Sequence, residues 1–91
     1  MTLLSYQIFK TVVDIGSFHK AADILGLTPS AISHAITSME AELGFSLLVR
    51  SKSGITLTNY GEHILPYVNA VLNADESLQQ AISELNGLKK G

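Results

Sequence analysis

Four side chains that can form hydrogen bonds lie at helical spacing in the middle of the chain. They follow Pro29 and are Ser30, Ser33, His34 and Thr37. Residues three and four apart share one face of an α-helix, so these groups form a polar stripe that can donate and accept hydrogen bonds. A helix with such a stripe is what reading base edges in the major groove of DNA requires.

The same residues do not form a recognisable catalytic or metal site. Neither Ser30 nor Ser33 lies in a G-x-S-x-G motif, and no carboxylate–histidine pair has the spacing to activate them. The three histidines lack ligand neighbours at metal-binding spacing, and the absence of cysteine excludes thiolate catalysis, disulfides and Cys-ligated zinc. A small hydrolase using Ser and His is therefore disfavoured, and we expect no enzyme activity, no metal and no cofactor.

Two helices and a tight turn over residues 18–37 are predicted to hold the polar stripe. Ala22 is small where a second helix must cross closely, and Gly26 suits the left-handed backbone that ends a helix. Thr28 is a good N-cap, and Pro29 suits the first helical position. A helix-turn-helix is also a packing motif in proteins that bind no nucleic acid. The inward face of the second helix is predicted to consist of Ile32, Ile36, Met39 and Leu43.

The elements around this motif complete a winged helix. An apolar pattern over residues 3–14 predicts a first amphipathic helix. The β-prone runs Leu47–Val49 and Ile55–Leu57 flank a polar turn over residues 50–54, which predicts a hairpin. Three helices followed by a hairpin indicate a mainly α-helical winged helix-turn-helix domain over residues 1–58, in which the hairpin turn is the wing.

A long helix is predicted from residue 59 to about residue 86, after the N-cap Thr58 and before Asn86–Gly87. Its apolar residues alternate steps of three and four, which is typical of a coiled-coil seam. The helix overhangs a domain this small, so we assign residues 59–91 to dimerisation with a second copy; packing of the seam on its own domain is the alternative. The residues expected at the dimer interface are Ile64, Val68, Val71, Leu72, Leu78, Ile82 and Leu85.

Charge is the feature that fits DNA binding least. The chain has 91 residues, of which 46% are apolar, so it can form a core. Six Lys and Arg residues against eight Asp and Glu residues give a net charge of −2, whereas DNA-binding domains are usually basic. We therefore expect modest affinity and a shallow salt dependence. A protein-interaction or dimerisation module without DNA affinity is the alternative function.

The N-terminus has no basic segment followed by an apolar run, and no apolar run approaches the length of a membrane span. We expect a cytoplasmic protein with no membrane partner.

With its helix-turn-helix, hairpin and long helix in this order, the chain resembles the N-terminal DNA-binding region of LysR-type transcriptional regulators. The resemblance is collinear and without gaps over residues 3–72. The segments that carry it are Phe9, GSFHKAA (16–22), LTPSAISHAI (27–36), MEAELGFSLLVR (39–50) and LTNYGEHILPY (57–67).

The resemblance implies sequence-specific binding of double-stranded DNA by a homodimer. The helix that begins near Thr28 would enter the major groove, and the long helix would pair antiparallel with its mate. The effector domain that most members carry is absent from this chain. The implied major-groove contacts are Thr28, Pro29, Ser30, Ser33, His34 and Thr37. The implied wing contacts, on the backbone and neighbouring minor groove, are Arg50, Ser51, Lys52 and Ser53.

Two departures from the family pattern weaken the expected electrostatic attraction. Many members carry Arg or Lys around the position of His34 and just after it, where this chain has Ala35. The usual basic wing residue falls near Ser53, whereas this chain offers Lys52.

Arg50 has two interpretations at this stage. Its place at the wing favours contact with a DNA phosphate. Alternatively, Arg50 pairs with Glu40 or Glu42 and supports the fold.

Overall fold

The structure, a computed structural model, describes residues 1–90 of the chain and the side chains of residues 1–88. These residues form four helices and one two-stranded antiparallel hairpin. In chain order the elements are α1 (Leu3–Ile15), α2 (Phe18–Leu25), α3 (Pro29–Leu43), β1 (Leu48–Ser51), β2 (Gly54–Leu57) and α4 (Asn59–Lys90). The predicted winged helix-turn-helix with a long final helix is confirmed.

The turn between α2 and α3 is formed by the residues that its sequence indicated. The Oγ1 atom of Thr28 accepts a hydrogen bond from the amide of Ala31 at 3.1 Å, and Pro29 occupies the first position of α3. Gly26 ends α2 with φ 68°, a left-handed conformation that costs other residues about 1–2 kcal/mol. These local preferences fix where α3 begins and therefore which of its faces points outward.

The core lies where α1, α2 and α3 cross, and the hairpin and the first half of α4 cover it. Its largest fully buried side chains are Phe9, Val12, Ile32, Met39 and Leu47. Ala22 is also buried, and because its side chain is small, α2 and α3 can approach closely there. Burying a large apolar side chain contributes about 1.5–3 kcal/mol, so the inward face of α3 holds this helix in one rotational orientation and leaves its polar stripe on the outside.

The hairpin is tighter than predicted. Its last pair is Ser51 opposite Gly54, so only residues 52–53 connect the strands. The predicted turn over residues 50–54 is therefore too long, and Arg50 lies inside β1 instead of in the turn. Gly54 has φ 125°, a conformation that glycine adopts most easily, and this allows strand pairing to continue to the last residues before the turn.

The final helix is longer than predicted. It continues through Asn86 and Gly87 to Lys90, so the predicted end is wrong. Gly87 does not take the left-handed conformation that would end a helix, and a glycine inside a helix costs only about 1 kcal/mol relative to alanine. Residue 91 of the predicted dimerisation segment lies outside the described residues. None of the helices in the described part of the chain combines the length and the apolar character that crossing a membrane needs.

Candidate nucleic-acid interface

The polar stripe of α3 lies on the surface. Ser30, His34 and Thr37 are exposed, and Ser33 is half-buried between them. Thr28 and Pro29, at the start of the helix, are exposed as well. The stripe is exposed because Ile32, Ile36 and Met39 bury the opposite face in the core.

Ser33 is the residue of the stripe that contacts the wing, through Arg50. The Nη2 atom of Arg50 donates a hydrogen bond to the Oγ atom of Ser33 at 3.2 Å. The guanidinium carbon of Arg50 also lies 3.9 Å from the centroid of the Phe18 ring, within the range of a cation–π contact. One wing residue thus joins the starts of α2 and α3.

Strand register explains why Arg50 points toward the helices. Directly opposed residues of an antiparallel pair share a face, and successive residues alternate. Arg50 is opposite Ile55, and Leu48 is opposite Leu57. Leu48, Ile55 and Leu57 all pack against the core, so Arg50 is the outermost residue of the inward face of the hairpin.

The tip of the wing consists of small hydroxyl residues around one cation. The Oγ atom of Ser51 donates to the carbonyl of Gly54 at 3.2 Å and lies 2.9 Å from the Oγ of Ser53. Since the proton of Ser51 is used for Gly54, Ser53 donates to Ser51. Lys52 is exposed at the turn, where its ammonium group is free to reach a phosphate.

The wing is held to α3 by a residue whose role the sequence did not reveal. The Oε2 atom of Glu40 accepts hydrogen bonds from the backbone amides of Leu47 at 2.6 Å and Leu48 at 3.4 Å. Glu40 therefore fixes the segment that enters β1. Leu47, predicted as a strand residue, precedes β1 and is fully buried in the core.

The other side of the hairpin is closed by the start of α4. The Oγ1 atom of Thr58 donates to the carbonyl of Ser46 at 2.6 Å and accepts from the amide of Gly61 at 3.0 Å, so the predicted N-cap is confirmed. Gly61 is buried, and a Cβ atom there would collide with the carbonyl oxygen of Leu47 and lie 3.0 Å from Cδ2 of Leu57. A glycine in the first turn of a predicted helix was the available signal for this close approach.

The ion pairs of the described residues do not involve the wing cations. Glu42 pairs with the Met1 amino group at 2.6 Å, and Lys10 pairs with Asp14 at 2.8 Å. Pairing of Arg50 with Glu40 or Glu42, the alternative role for this residue, is not formed, because one carboxylate binds backbone amides and the other binds Met1.

The described residues contain no arrangement that fits a hydrolase or a metal site. No acidic side chain among them is buried, so Ser33 lacks the buried acid that a serine–histidine–acid triad uses. The described part of the chain also has no group of three His, Cys, Asp or Glu residues that could hold a metal ion.

The residues predicted for the dimer interface fall into two groups. Val68 is only 5% exposed and belongs to the core of its own domain, so its predicted intermolecular role is corrected. Ile64 and Leu72 are half-buried against the same core, because α1 packs on the first half of α4. The predicted interface residues that remain exposed are Val71, Leu78, Ile82 and Leu85.

Comparison with known proteins finds one family. The sequence profile of bacterial regulatory helix-turn-helix proteins of the lysR family matches residues 3–62. An uncharacterised HTH-type transcriptional regulator of Bacillus subtilis, YvbU, is 37% identical over an alignment of 92 positions, which covers 100% of this chain and 32% of that protein. The chain thus spans about a third of the length of this relative.

Solved structures extend the comparison to the fold. Oxidised OxyR of Corynebacterium glutamicum is similar with a TM-score of 0.89 and 31% identity, over 94% of this chain and 26% of that one. The BenM DNA-binding domain in complex with benA site 1 DNA is similar with a TM-score of 0.85 and 29% identity. That match covers 93% of this chain and 96% of the other.

Proposed function

The chain belongs to the lysR family of bacterial regulatory helix-turn-helix proteins, and on this premise we propose that it is the double-stranded-DNA-binding part of a LysR-type transcriptional regulator. It binds DNA sequence-specifically and has no catalytic activity of its own. The observation that carries the proposal is the exposed polar stripe of α3, which lies beside a wing whose cations form no ion pair within the described residues. As part of a bacterial regulator, it would act in the cytoplasm.

The recognition helix is α3. Its exposed residues Ser30, His34 and Thr37 have side chains short enough to bring the helix backbone close to the base edges. Thr28 and Pro29 place the N-terminal end of the helix at the same surface, where the helix dipole and the backbone amide of Ser30 favour a phosphate. Phosphate contacts would fix the register, and the stripe would read the sequence.

The wing supplies the main positive charge. Arg50 and Lys52 lie on one hairpin within reach of the DNA backbone when α3 occupies the major groove. Ser51 and Ser53 shape the tip that approaches the minor groove. With so few cations the electrostatic term is small, which agrees with a net charge of −2.

The second half of α4 is the dimerisation element, and residues 1–58 together with the first half of α4 form the DNA-binding domain. All side chains from Glu76 to Leu88 are exposed, so the domain itself does not cover this part of the helix. Val71, Leu78 and Leu85 are seven residues apart and form the continuous side of a heptad seam. Pairing of two such seams would hold two copies of α3 at a fixed separation, as operators with two half-sites require.

A binding titration tests the function directly. A preferred duplex is first selected from a randomised pool, and fluorescence anisotropy then compares it with a scrambled duplex at low and moderate salt. We expect the selected duplex to bind at least tenfold more tightly at moderate salt, since specific binding usually exceeds non-specific binding by about 1000-fold or more. Equal and weak binding of both duplexes would contradict the proposal and favour a protein-interaction module.

A further inference from the structure

We propose that Arg50 sets the direction of the hydrogen bond that Ser33 makes to DNA, so that Ser33 acts as a donor to an acceptor atom on a base edge. Arg50 is then a positioning residue for sequence specificity as well as a cation at the backbone. The inference rests on the proposed function and adds which base atoms one residue of the stripe selects.

The chemistry of the two groups makes the bond one-directional. A guanidinium group carries only donors, whereas a serine hydroxyl has one proton and can also accept. In the 3.2 Å contact between Nη2 of Arg50 and Oγ of Ser33, the serine oxygen must therefore accept. Its own proton is not used in any other hydrogen bond of the described residues, including the backbone carbonyl one turn earlier that helical serines often bind.

The position of Arg50 is determined by its surroundings. The guanidinium group lies 3.9 Å from the centre of the Phe18 ring, and Phe18 packs against the core. The pairing of Arg50 with Ile55 directs the side chain toward the helices. A lysine side chain is flexible and samples many rotamers. The guanidinium group of Arg50 is planar and stacked on a ring, so it loses less conformational entropy for each hydrogen bond that it forms.

Arg50 biases which base atoms Ser33 can bind. It takes one of the two lone pairs of the Ser33 oxygen, and its positive charge makes the remaining lone pair a poorer acceptor for an amino group, while the hydroxyl proton stays available. In the major groove, guanine N7 and O6, adenine N7 and thymine O4 accept hydrogen bonds, whereas cytosine N4 and adenine N6 donate them. Ser33 would favour the acceptors and disfavour an amino group at the position it faces. Without Arg50 both lone pairs are open and the adjacent positive charge is gone, so the hydroxyl accepts from an amino group more readily and the preference at that position weakens.

Selection from duplexes with a randomised central segment tests this inference. The 91-residue chain is compared with Ser33→Ala, Arg50→Met, Arg50→Lys and the double variant Ser33→Ala with Arg50→Met. We expect Ser33→Ala and Arg50→Met to weaken selection at the same base pair of each half-site, by about 2- to 12-fold in relative affinity, as the loss of one neutral hydrogen bond predicts. The double variant is expected to lose no more discrimination there than either single variant, because the two residues act through one hydrogen bond.

An additional variant, Lys52→Met, and the Arg50→Lys variant separate positioning from charge and from stability. Lys52→Met removes a wing cation that does not contact Ser33, and it is expected to lower affinity for all duplexes while the selected sequence stays the same. Arg50→Lys keeps the charge but not the planar stacked donor, so it is expected to weaken selection at the Ser33 base pair even if Arg50→Met is too unstable to measure. Thermal unfolding of each variant confirms that it is folded.

The outcomes are distinguishable. If Arg50→Met and Arg50→Lys only lower affinity uniformly, or if they alter a different base pair from Ser33→Ala, the inference is wrong while the proposed function stands. If the wild-type chain selects no sequence at all, the proposed function fails and the inference fails with it.

Discussion

The carboxylate of Glu40 lies 2.6 Å from the backbone nitrogen of Leu47, so the last turns of α3 hold the chain at the point where it enters the hairpin. The same helix carries the polar stripe along its preceding turns, and Glu40 follows Thr37 by three residues on nearly the same face. A change in the orientation of α3 would therefore move the stripe and the wing together, and the two parts of the proposed DNA interface form one rigid unit.

Glu40→Ala is expected to destabilise the domain by about 1.5–3 kcal/mol, because it removes a charged acceptor from two backbone amides that have no other partner at that place. Chemical denaturation measures the loss. Glu84→Ala, which removes an exposed carboxylate from the distal part of α4, is the control and should change stability by less than about 0.5 kcal/mol. Equal effects of the two variants would contradict the role of Glu40.

Gly61→Ala is expected to lower the melting temperature although alanine is the better helix former. The added methyl group collides with the backbone of Leu47, and overpacking of this kind costs about 1–3 kcal/mol. The gain in helix propensity offsets only about 1 kcal/mol. Gly87→Ala is the matched control in the same helix, since no atom lies within 4 Å of the place that its methyl group would occupy; calorimetry should show an unchanged or slightly raised melting temperature for this variant.

Replacing Val71 and Leu78 with Glu should convert the proposed dimer to monomers, because it places like charges on both sides of the seam. Sedimentation equilibrium distinguishes the two states. The control replaces Asn73 and Gln80 with Glu, which adds the same charges at the same spacing on an exposed face outside the seam. A double Val71 and Leu78 variant that still sediments as a dimer would place the interface elsewhere.

Ser33→Glu should abolish binding to the selected duplex while the fold remains stable, because a carboxylate in the major groove faces the phosphates and the base acceptors. The melting temperature is expected to change little, since the side chain is half-buried at the surface and lies beside the Arg50 guanidinium. Ser77→Glu on the exposed part of α4 adds the same charge away from the stripe and should leave binding unchanged. Retained binding by Ser33→Glu would show that the stripe is not the reading surface.

The salt dependence of binding should be shallow. If Arg50 and Lys52 of each subunit provide the main phosphate contacts, a dimer releases counterions from about four phosphates, and log K against log salt concentration has a slope of about −4. Lys52→Ala should reduce the magnitude of this slope by about 2 for the dimer. Lys10→Ala, which removes a cation already paired with Asp14 on α1, should leave the slope unchanged; a similar reduction would indicate a non-specific charge effect.

Most of the fold can be predicted because its signals are local. Thr28, Pro29 and Gly26 define the turn before α3 through their own backbone preferences, and the spacing of Ile32, Ile36 and Met39 defines the buried face of this helix. Each of these effects acts within a few residues, so periodicity and capping rules are sufficient.

The parts that cannot be predicted depend on contacts between distant residues. Five consecutive polar or small residues indicate a turn that includes Arg50, whereas the strand register that directs Arg50 to Phe18 and Ser33 involves three separate elements. The roles of Glu40 and Gly61 likewise depend on the path of the chain near Leu47. The periodic pattern of α4 does not distinguish Val68, which faces its own core, from Val71, which does not.

The exposed end of α4 has a geometric consequence for any operator this chain selects. Sliding one paired helix along the other by a single turn shifts the two attached domains relative to each other by about 5.4 Å, which exceeds the rise of about 3.4 Å between successive base pairs. The registry of the two paired α4 helices would thus determine the distance between the two half-sites of the operator. Substitutions far from the DNA could then alter which spacing is preferred without changing any residue that reads a base.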